Sequence, residues 1–134
     1  DKPLRGYHIL LAEDNEINME IAEFYLEEAG AQVTKAWNGQ EAVELFEQSN
    51  PREYDAVLMD IMMPEMDGKE ASRKIRSMAD LREDADGIPI LAMTAQASTE
   101  SIHQCKSAGM NKCIFKPVNA KELIGTLQDI VAKI

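Results

Sequence analysis

Acidic, hydroxyl and amine side chains follow short apolar segments at four separate points in the sequence. Each of these residues comes directly after an apolar run: Glu13 and Asp14 after residues 8–12, Asp60 after 57–59, Thr94 after 88–93, and Lys116 after 112–115. Apolar runs of this length are typical of strands buried on both faces. Ligands of an open α/β sheet bind outside the carboxyl ends of its strands. We therefore expect all five side chains to meet at one edge of a sheet.

Three carboxylates at one site repel each other unless a cation binds between them or one of them is protonated. Mg²⁺, a hard ion that takes oxygen ligands and keeps some water, would balance the charge, with Asp14 and Asp60 as direct ligands and Glu13 acting through water. Asp60 is then a nucleophile toward a phosphoryl group, since carboxylates form aspartyl-phosphate intermediates. Lys116 would stabilise the charge of the transferring group, and the Thr94 hydroxyl would donate a hydrogen bond to it.

Such a reaction would also act as a switch. Phosphorylation adds about −1.5 to −2 units of charge, enough to draw Thr94 and its loop inward. The predicted helix over residues 98–108 follows this loop and has a weak apolar face. We therefore expect it to be a marginal element that moves when Asp60 is modified.

Strand and helix patterns alternate five times, which predicts a parallel sheet covered on both faces. The predicted strands are residues 8–12, 31–36, 57–59, 88–93 and 112–115, and the predicted helices are residues 17–29, 38–50, 68–78, 98–108 and 119–134. The simplest arrangement of these elements is a doubly wound, flavodoxin-like sheet of order 2-1-3-4-5. Its switch point lies between the first and third strands and receives Glu13, Asp14 and Asp60 together.

Two local features complete the predicted fold. The first helix carries a broad apolar face, and Gly30 ends it; the residues of that face are Ile17, Ile21, Ala22, Phe24, Leu26 and Ala29. Residues 79–87 are rich in charge and are expected to form an exposed, mobile loop. Residues 1–7 are expected to be a linker, and residues 8–134 a single domain.

Composition excludes several classes of function. The formal net charge of −10 argues against nucleic acid as a direct partner. Cys105 and Cys113 lack zinc-ligand spacing and predict no disulfide framework; we expect two small thiols in a reducing cytosol. No apolar run reaches the roughly 20 residues that span a bilayer, and no signal peptide is recognisable. The chain is expected to be cytoplasmic, either by itself or as the cytoplasmic part of a membrane-bound protein.

Together these motifs resemble the receiver domain of two-component response regulators, and the resemblance covers nearly the whole chain. The residues that carry it are Glu13-Asp14-Asn15, Asp60 with the following Met63-Pro64-Glu65-Met66-Asp67-Gly68, Thr94-Ala95 and Lys116-Pro117. Residues 10–18 are most similar to receivers of hybrid sensor histidine kinases. The resemblance implies that Asp60 takes a phosphoryl group from a phosphohistidine of a histidine kinase or histidine phosphotransfer domain, in a reaction that the receiver itself promotes with Mg²⁺.

The resemblance also implies roles for residues around the acceptor. The backbone carbonyl of Met62 joins the metal ligands, Thr94 and Ala95 form the switch, and Lys116 contacts the phosphoryl group and precedes Pro117 through a cis bond. Cys113 stands where the family usually carries Tyr or Phe as a rotating switch aromatic. The fourth predicted helix, the fifth strand and the last helix form the expected docking surface, which a homodimer would also use.

Three other functions fit the sequence less well than the phosphoacceptor. A flavodoxin-like cofactor carrier would need a phosphate-cradling loop after the first strand, where Glu13 and Asp14 would repel a phosphate. A haloacid-dehalogenase-type phosphatase needs a second acid two residues after its nucleophile, and position 62 is Met. A degenerate receiver that only binds partners would have a damaged acidic site, whereas all five residue types are present.

Overall fold

A parallel five-stranded sheet forms the centre of the molecule. The computed structural model describes residues 2–80, 82–95 and 98–131. The strands lie in the order β2-β1-β3-β4-β5, and their bounds are β1 His8–Ala12, β2 Gln32–Ala36, β3 Ala56–Asp60, β4 Ile90–Thr94 and β5 Lys112–Phe115. The doubly wound fold and the strand order predicted from the sequence are confirmed.

Strand register aligns the carboxyl ends that carry the polar residues. Asp60 at the end of β3 pairs with Met93, one residue before Thr94. Thr94 at the end of β4 pairs with Phe115, one residue before Lys116. All five residues of β3 and of β4 are buried, because helices cover both faces of a parallel sheet. The buried strands therefore end at the same edge of the sheet, and the candidate residues lie at that edge.

Six α-helices connect or follow the strands in the described part of the chain. Their bounds are α1 Glu16–Glu28, α2 Gly39–Gln48, α3 Gly68–Ser77, α4 Asp84–Gly87, α5 Thr99–Ser107 and α6 Ala120–Val131, with a short 3-10 turn at Met78–Asp80 between α3 and α4. Two apolar clusters, one on each face of the sheet, make up the core. The predicted end of the last helix at Ile134 lies outside the described residues.

Side-chain caps fix the starts of α2 and α6. The Asn38 side chain accepts a hydrogen bond from the backbone of Glu41, whose carboxylate accepts one from the Trp37 backbone in return. The Asn119 side chain caps α6 through the backbone of Glu122. Each cap satisfies an amide that would otherwise lack a partner at the helix end.

The predicted apolar face of α1 is wrong for half of its residues. Ile17, Ile21 and Phe24 are exposed by 67%, 42% and 60%, whereas Met19, Ala22 and Leu26 are buried. At about 100° per residue these two sets point to opposite sides of the helix. The prediction merged two apolar stripes into one, and only the second faces the sheet.

The predicted loop over residues 79–87 is exposed at most of its described positions, but it is not a loop throughout, because it contains the end of the 3-10 turn and α4. Two arginines contact this segment. The Arg82 guanidinium donates to backbone oxygens of Phe46, Glu47 and Asn50, and it pairs with Asp84. Ala85 in α4 is fully buried. Leu81, within the same predicted loop, lies outside the described residues.

A second arginine, Arg76 on α3, joins the residue after α4 to the turn before β5. The Arg76 side chain donates hydrogen bonds to the carbonyl oxygens of Gly109 and Ile88 and to the side chain of Asn111. Burial lowers the pKa of Arg76, partly offset by the charge of Asp86. A planar guanidinium with five donors can join several chain segments in this way.

The segment before β1 packs against the domain. Leu4 is fully buried, and its backbone amide donates to the carbonyl oxygen of Ala29 at 2.7 Å. The predicted division between a linker over residues 1–7 and a domain over residues 8–134 stays a prediction, and Asp1 lies outside the described residues.

Candidate functional site

Three acids meet at the carboxyl edge of the sheet, as the sequence predicts. Glu13 and Asp14 follow β1, and Asp60 ends β3; one carboxylate oxygen from each lies within 4.8 Å of the others. Glu13 and Asp60 are 1% and 2% exposed, and Asp14 is exposed. The pocket therefore has two buried acids at its base and one acid at its rim.

Lys116 joins the two buried acids. Its ammonium Nζ lies 3.2 Å from Oε1 of Glu13 and 3.1 Å from Oδ2 of Asp60. Lys116 reaches this position because β5 ends at Phe115 beside the end of β4. One ammonium thus faces two buried carboxylates and a third exposed one, which leaves the pocket with excess negative charge.

This imbalance appears in the ionisation of Asp60. Burial and the negative charge of Glu13 raise the pKa of Asp60 to about 7, although Lys116 opposes the shift. Burial alone would lower the pKa of Lys116, but its hydrogen bond to Asp60 and the charges of Asp60 and Glu13 outweigh burial and raise it. An added cation would remove the cost of ionising Asp60.

Backbone groups orient the two buried carboxylates. The Asn15 amide donates to Oε2 of Glu13 at 3.1 Å, and the Met62 amide donates to Oδ1 of Asp60 at 3.3 Å. Gly68 sits directly against the backbone of Asp60, where a Cβ atom would collide with the Asp60 carbonyl oxygen. Glycine at position 68 therefore lets the turn after β3 close over the acceptor.

Thr94 ends β4 beside the acids and is 4% exposed. Its carbonyl oxygen accepts a hydrogen bond from the backbone of Lys116 at 2.8 Å, which joins the ends of β4 and β5. Ala95 follows and is exposed. The predicted hydroxyl, amine and acidic residues therefore emerge from adjacent strand ends.

Two further predicted switch residues lie on or after β5. Cys113 is half-buried and pairs with Ala92 in the sheet. The peptide bond between Lys116 and Pro117 is cis, as the resemblance implied. Their roles in switching stay predictions.

The donor set fits Mg²⁺. Carboxylate oxygens are the ligands that this ion prefers, and the three acids are balanced only in part by the single ammonium of Lys116. Asp14 at the exposed rim leaves one side of the pocket open to solvent, where the ion could keep part of its water. The Met62 carbonyl as a further ligand stays a prediction.

The sequence reasoning missed an exposed apolar stripe beside this pocket. It consists of Ile17, Ile21 and Phe24 on α1, which begins at Glu16, two residues after Asp14. Met62, on the loop after β3, is a further exposed apolar residue, with 75% of its surface accessible. The signal for the stripe was a second set of apolar residues on α1 at spacings of four and three.

A separate cleft of about 610 Å³ lies at the opposite edge of the sheet. Tyr7, Tyr54 and Ile88 are among its lining residues, and it contains none of the predicted site residues. The chemistry predicted from the sequence is therefore confined to the carboxyl edge.

Comparison with known proteins agrees with this geometry. The family model described as the response regulator receiver domain matches residues 9–128. Among curated proteins, the chain is 36% identical to the peroxide stress-activated histidine kinase mak1 of Schizosaccharomyces pombe and 34% identical to histidine kinase 1 of Arabidopsis thaliana. Those matches cover 88% and 94% of this chain but only 7% and 13% of the two relatives.

Solved receiver domains share this fold. The receiver domain of the sensor histidine kinase PA1611 of Pseudomonas aeruginosa, with a magnesium ion coordinated in its active site cleft, is 38% identical; the TM-score is 0.84, and the match covers 96% of this chain and 99% of that one. A second similar structure is the complex of the Saccharomyces cerevisiae histidine phosphotransfer protein Ypd1 with the receiver domain of Ssk1. The match has 26% identity and a TM-score of 0.85, and it covers 96% of this chain and 91% of that one. Among the described residues, no helix combines the length and apolar character needed to cross a membrane.

Proposed function

The chain belongs to the family of response regulator receiver domains of two-component phosphorelays, and from this premise we propose that Asp60 is the residue that accepts the phosphoryl group. The observation that carries the proposal is the pairing of Asp60 with Lys116 at 3.1 Å inside a cluster of three acids. A buried carboxylate that contacts an ammonium and lies close to other acids is suited to two tasks. It can help to bind a cation, and it can accept a phosphoryl group.

Asp60 acts as the nucleophile. One carboxylate oxygen attacks the phosphorus of a phosphohistidine, the P–N bond breaks, and its electron pair returns to the imidazole. The product is an acyl phosphate on Asp60. Because only the ionised carboxylate attacks, the pKa of Asp60 near 7 in the metal-free pocket means that the acceptor is partly protonated until a cation enters.

Glu13, Asp14 and Asp60 would hold Mg²⁺. When bound, the ion supplies positive charge to the phosphoryl oxygens and to the acids around them. Asp14 and Asp60 are proposed as direct ligands and Glu13 as a ligand through water, with the Met62 carbonyl completing the set. The Asn15 amide holds the Glu13 carboxylate toward the pocket.

Lys116 and Thr94 would interact with the negative charge of the transferred phosphoryl group. Transfer places a phosphoryl group on the oxygen that Lys116 now contacts, so the ammonium stays beside the product as its counter-ion. The Thr94 hydroxyl would donate to a phosphoryl oxygen and draw Ala95 with it. Their backbones are already joined at the ends of β4 and β5, so movement of one segment is transmitted to the other.

The donor would dock on the exposed stripe of α1. A phosphohistidine must come within bonding distance of Asp60, so residues around the mouth of the pocket must contact the donor protein. Ile17, Ile21, Phe24 and Met62 are exposed apolar residues on the two segments that follow Asp14 and Asp60, and such residues mark protein interfaces. We propose a histidine phosphotransfer domain or histidine kinase as the occupant; the Ssk1 receiver domain was crystallised with the histidine phosphotransfer protein Ypd1.

The surface formed by α5, β5 and α6 would then serve the readout or a homodimer. Direct binding of nucleic acid is not expected, because the chain carries a net charge of −10. The chain spans a small fraction of its curated relatives, so a parent hybrid histidine kinase, with its kinase and transferase activity and its cytoplasmic or membrane-associated position, is part of the proposal.

Incubation with acetyl phosphate tests the proposed function. We expect a covalent phosphoryl label that forms only with Mg²⁺ and is lost in alkali, as an acyl phosphate should be. The rival phosphatase predicts steady hydrolysis of a simple ester such as p-nitrophenyl phosphate. Sustained turnover without a labelled protein would contradict the receiver function.

A further inference from the structure

The loop between β3 and α3 is closed on itself by backbone hydrogen bonds. We call residues 61–67 the acceptor loop, because they follow the acceptor residue at the end of β3. The Gly68 amide donates to the carbonyl oxygen of Ile61 at 2.9 Å, and the Met66 amide donates to that of Pro64 at 2.7 Å. The first bond joins the two ends of the loop, and the second forms a tight turn within it. A displacement at one point of the acceptor loop is therefore transmitted to the rest.

The start of α2 holds the acceptor loop from outside. The amide of Gly39, the first residue of α2, donates to the carbonyl oxygen of Met66 at 3.0 Å. A Cβ atom on Gly39 would lie 2.1 Å from that oxygen and 2.8 Å from the Met66 carbonyl carbon. Atoms cannot approach this closely, so only a residue without a side chain allows the contact. The helix and the loop thus meet backbone to backbone.

The helix itself does not require glycine at position 39. Gly39 does not have the positive φ angle of Gly30 or Gly109, so other residues could adopt its backbone conformation. Alanine also favours a helix more than glycine does. The close approach of Met66 is therefore the constraint that explains glycine at this position.

We propose that Gly39 is a positioning residue for the metal site, because its contact with Met66 sets the position of the acceptor loop and so the affinity of the pocket for Mg²⁺. The inference rests on the proposed function, in which Asp60 and the Met62 carbonyl hold the ion. The Met62 amide also donates to Oδ1 of Asp60 at 3.3 Å, so the loop contacts the carboxylate directly. Groups that orient metal ligands typically change metal affinity by about 10- to 100-fold when they are altered.

A side chain at position 39 would displace the loop more readily than the helix. Three further residues of α2 are buried in the core, namely Ala42, Val43 and Phe46. The middle of the acceptor loop packs less firmly: Met62 is 75% exposed, and Glu65 has a φ angle of 71°, a strained conformation for a residue with a side chain. The collision would therefore shift the loop by about 1 Å, which is enough to disturb a site whose ligands must be placed more precisely than that.

Titration of Gly39→Ala with MgCl₂ tests the proposal. The backbone amide resonances of Asp60 and Met62 report binding of the ion without any phosphoryl transfer, and we expect the Kd for Mg²⁺ to rise about tenfold. Labelling by acetyl phosphate should be slow at limiting Mg²⁺ and should recover at saturating Mg²⁺. Gly125→Ala on α6 is the matched control, because a Cβ atom there meets no atom within 4 Å in the described part of the chain, its own helix aside. Its Kd should equal that of the wild type.

An unchanged Kd in folded Gly39→Ala, even with lower stability, would overturn the inference, because a purely structural glycine predicts that result. Hydrogen exchange of the unaltered protein covers the case in which the variant fails to fold. Mg²⁺ should slow exchange of the Gly39 amide about tenfold more than that of the Ser49 amide, which bonds to Phe46 at the other end of α2. Equal effects on the two amides would also overturn the inference. Absence of any response to Mg²⁺ in the wild type would contradict the proposed metal site itself, and the inference with it.

Discussion

The ammonium of Lys116 lies 3.1 Å from Oδ2 of Asp60 and 3.2 Å from Oε1 of Glu13. One cation thus serves two buried carboxylates, with the exposed Asp14 adding a third negative charge at the rim. Buried charges without full compensation are costly to a fold. The excess negative charge of the pocket favours binding of a cation, and its effect on the ionisation of Asp60 can be measured.

The metal-free stability of the protein should fall as pH rises. The pKa of Asp60 in the folded chain, about 7, lies above its ordinary value of 3.8. Between these pH values the folded state binds more protons than the unfolded state, so the stabilisation is complete below the ordinary pKa and is lost as pH rises through 7.

Asp60→Asn removes this dependence. In EDTA, the free energy of unfolding of the variant minus that of the wild type should be more positive at pH 8 than at pH 5, by about 1 kcal/mol or more. Urea denaturation at each pH measures the difference. Asp129→Asn, a change at an exposed position of α6, is the control and should give a difference that does not vary with pH. An unchanged slope in Asp60→Asn would mean that another group is responsible.

Lys116→Ala should weaken phosphorylation while the fold remains. Loss of the ammonium removes the counter-charge for the transferring group, and we expect labelling by acetyl phosphate to slow by about 10- to 100-fold. Circular dichroism should match the wild type. Lys112→Ala, at the exposed start of β5, the strand that Lys116 follows, should label at the wild-type rate. Wild-type labelling of Lys116→Ala would remove this residue from the site.

Phe24→Ala should separate partner docking from chemistry. Because Phe24 is 60% exposed, its truncation should change the free energy of unfolding by less than about 0.5 kcal/mol. Transfer from a phosphotransfer protein that phosphorylates the wild-type chain should slow by about tenfold, while labelling by acetyl phosphate is unaffected. Glu27→Ala, exposed on the same helix but outside the stripe, is the matched control. Equal loss with both donors would argue against a docking role.

Arg82→Ala should loosen the connection between α3 and β4. The guanidinium contacts three carbonyl oxygens, pairs with Asp84 and lies 4.3 Å from the centre of the Phe46 ring. We expect a loss of about 1–3 kcal/mol in the free energy of unfolding and faster proteolysis within residues 79–87. Arg73→Ala, an exposed arginine on α3, should show neither effect, and an equal response of both variants would show that these contacts carry no stability.

The candidate site was predictable because the sequence places its residues where strands end. Apolar runs before Asp60 and Lys116 locate two strand ends without any knowledge of their contacts, and the doubly wound topology brings those ends together. Long-range contacts could not be predicted from the sequence in this way. Arg82 lies among charged residues that suggest a solvated loop, yet its partners at Phe46 and Asn50 are more than thirty positions away.

One other feature needed the packed structure. Alternative apolar stripes on α1 both satisfy helical periodicity, and only the position of the sheet decides that Leu26 is inside and Phe24 outside.

Labelling of Asp60→Asn by acetyl phosphate with Mg²⁺ tests the central claim most directly. Asparagine keeps the size of the side chain but removes the nucleophilic carboxylate, so we expect no alkali-labile phosphoryl label, while the wild type and Asp129→Asn are labelled equally. Mass spectrometry of the intact chain detects the added group. Retained labelling of folded Asp60→Asn at the wild-type level would contradict the assignment of Asp60 as the acceptor.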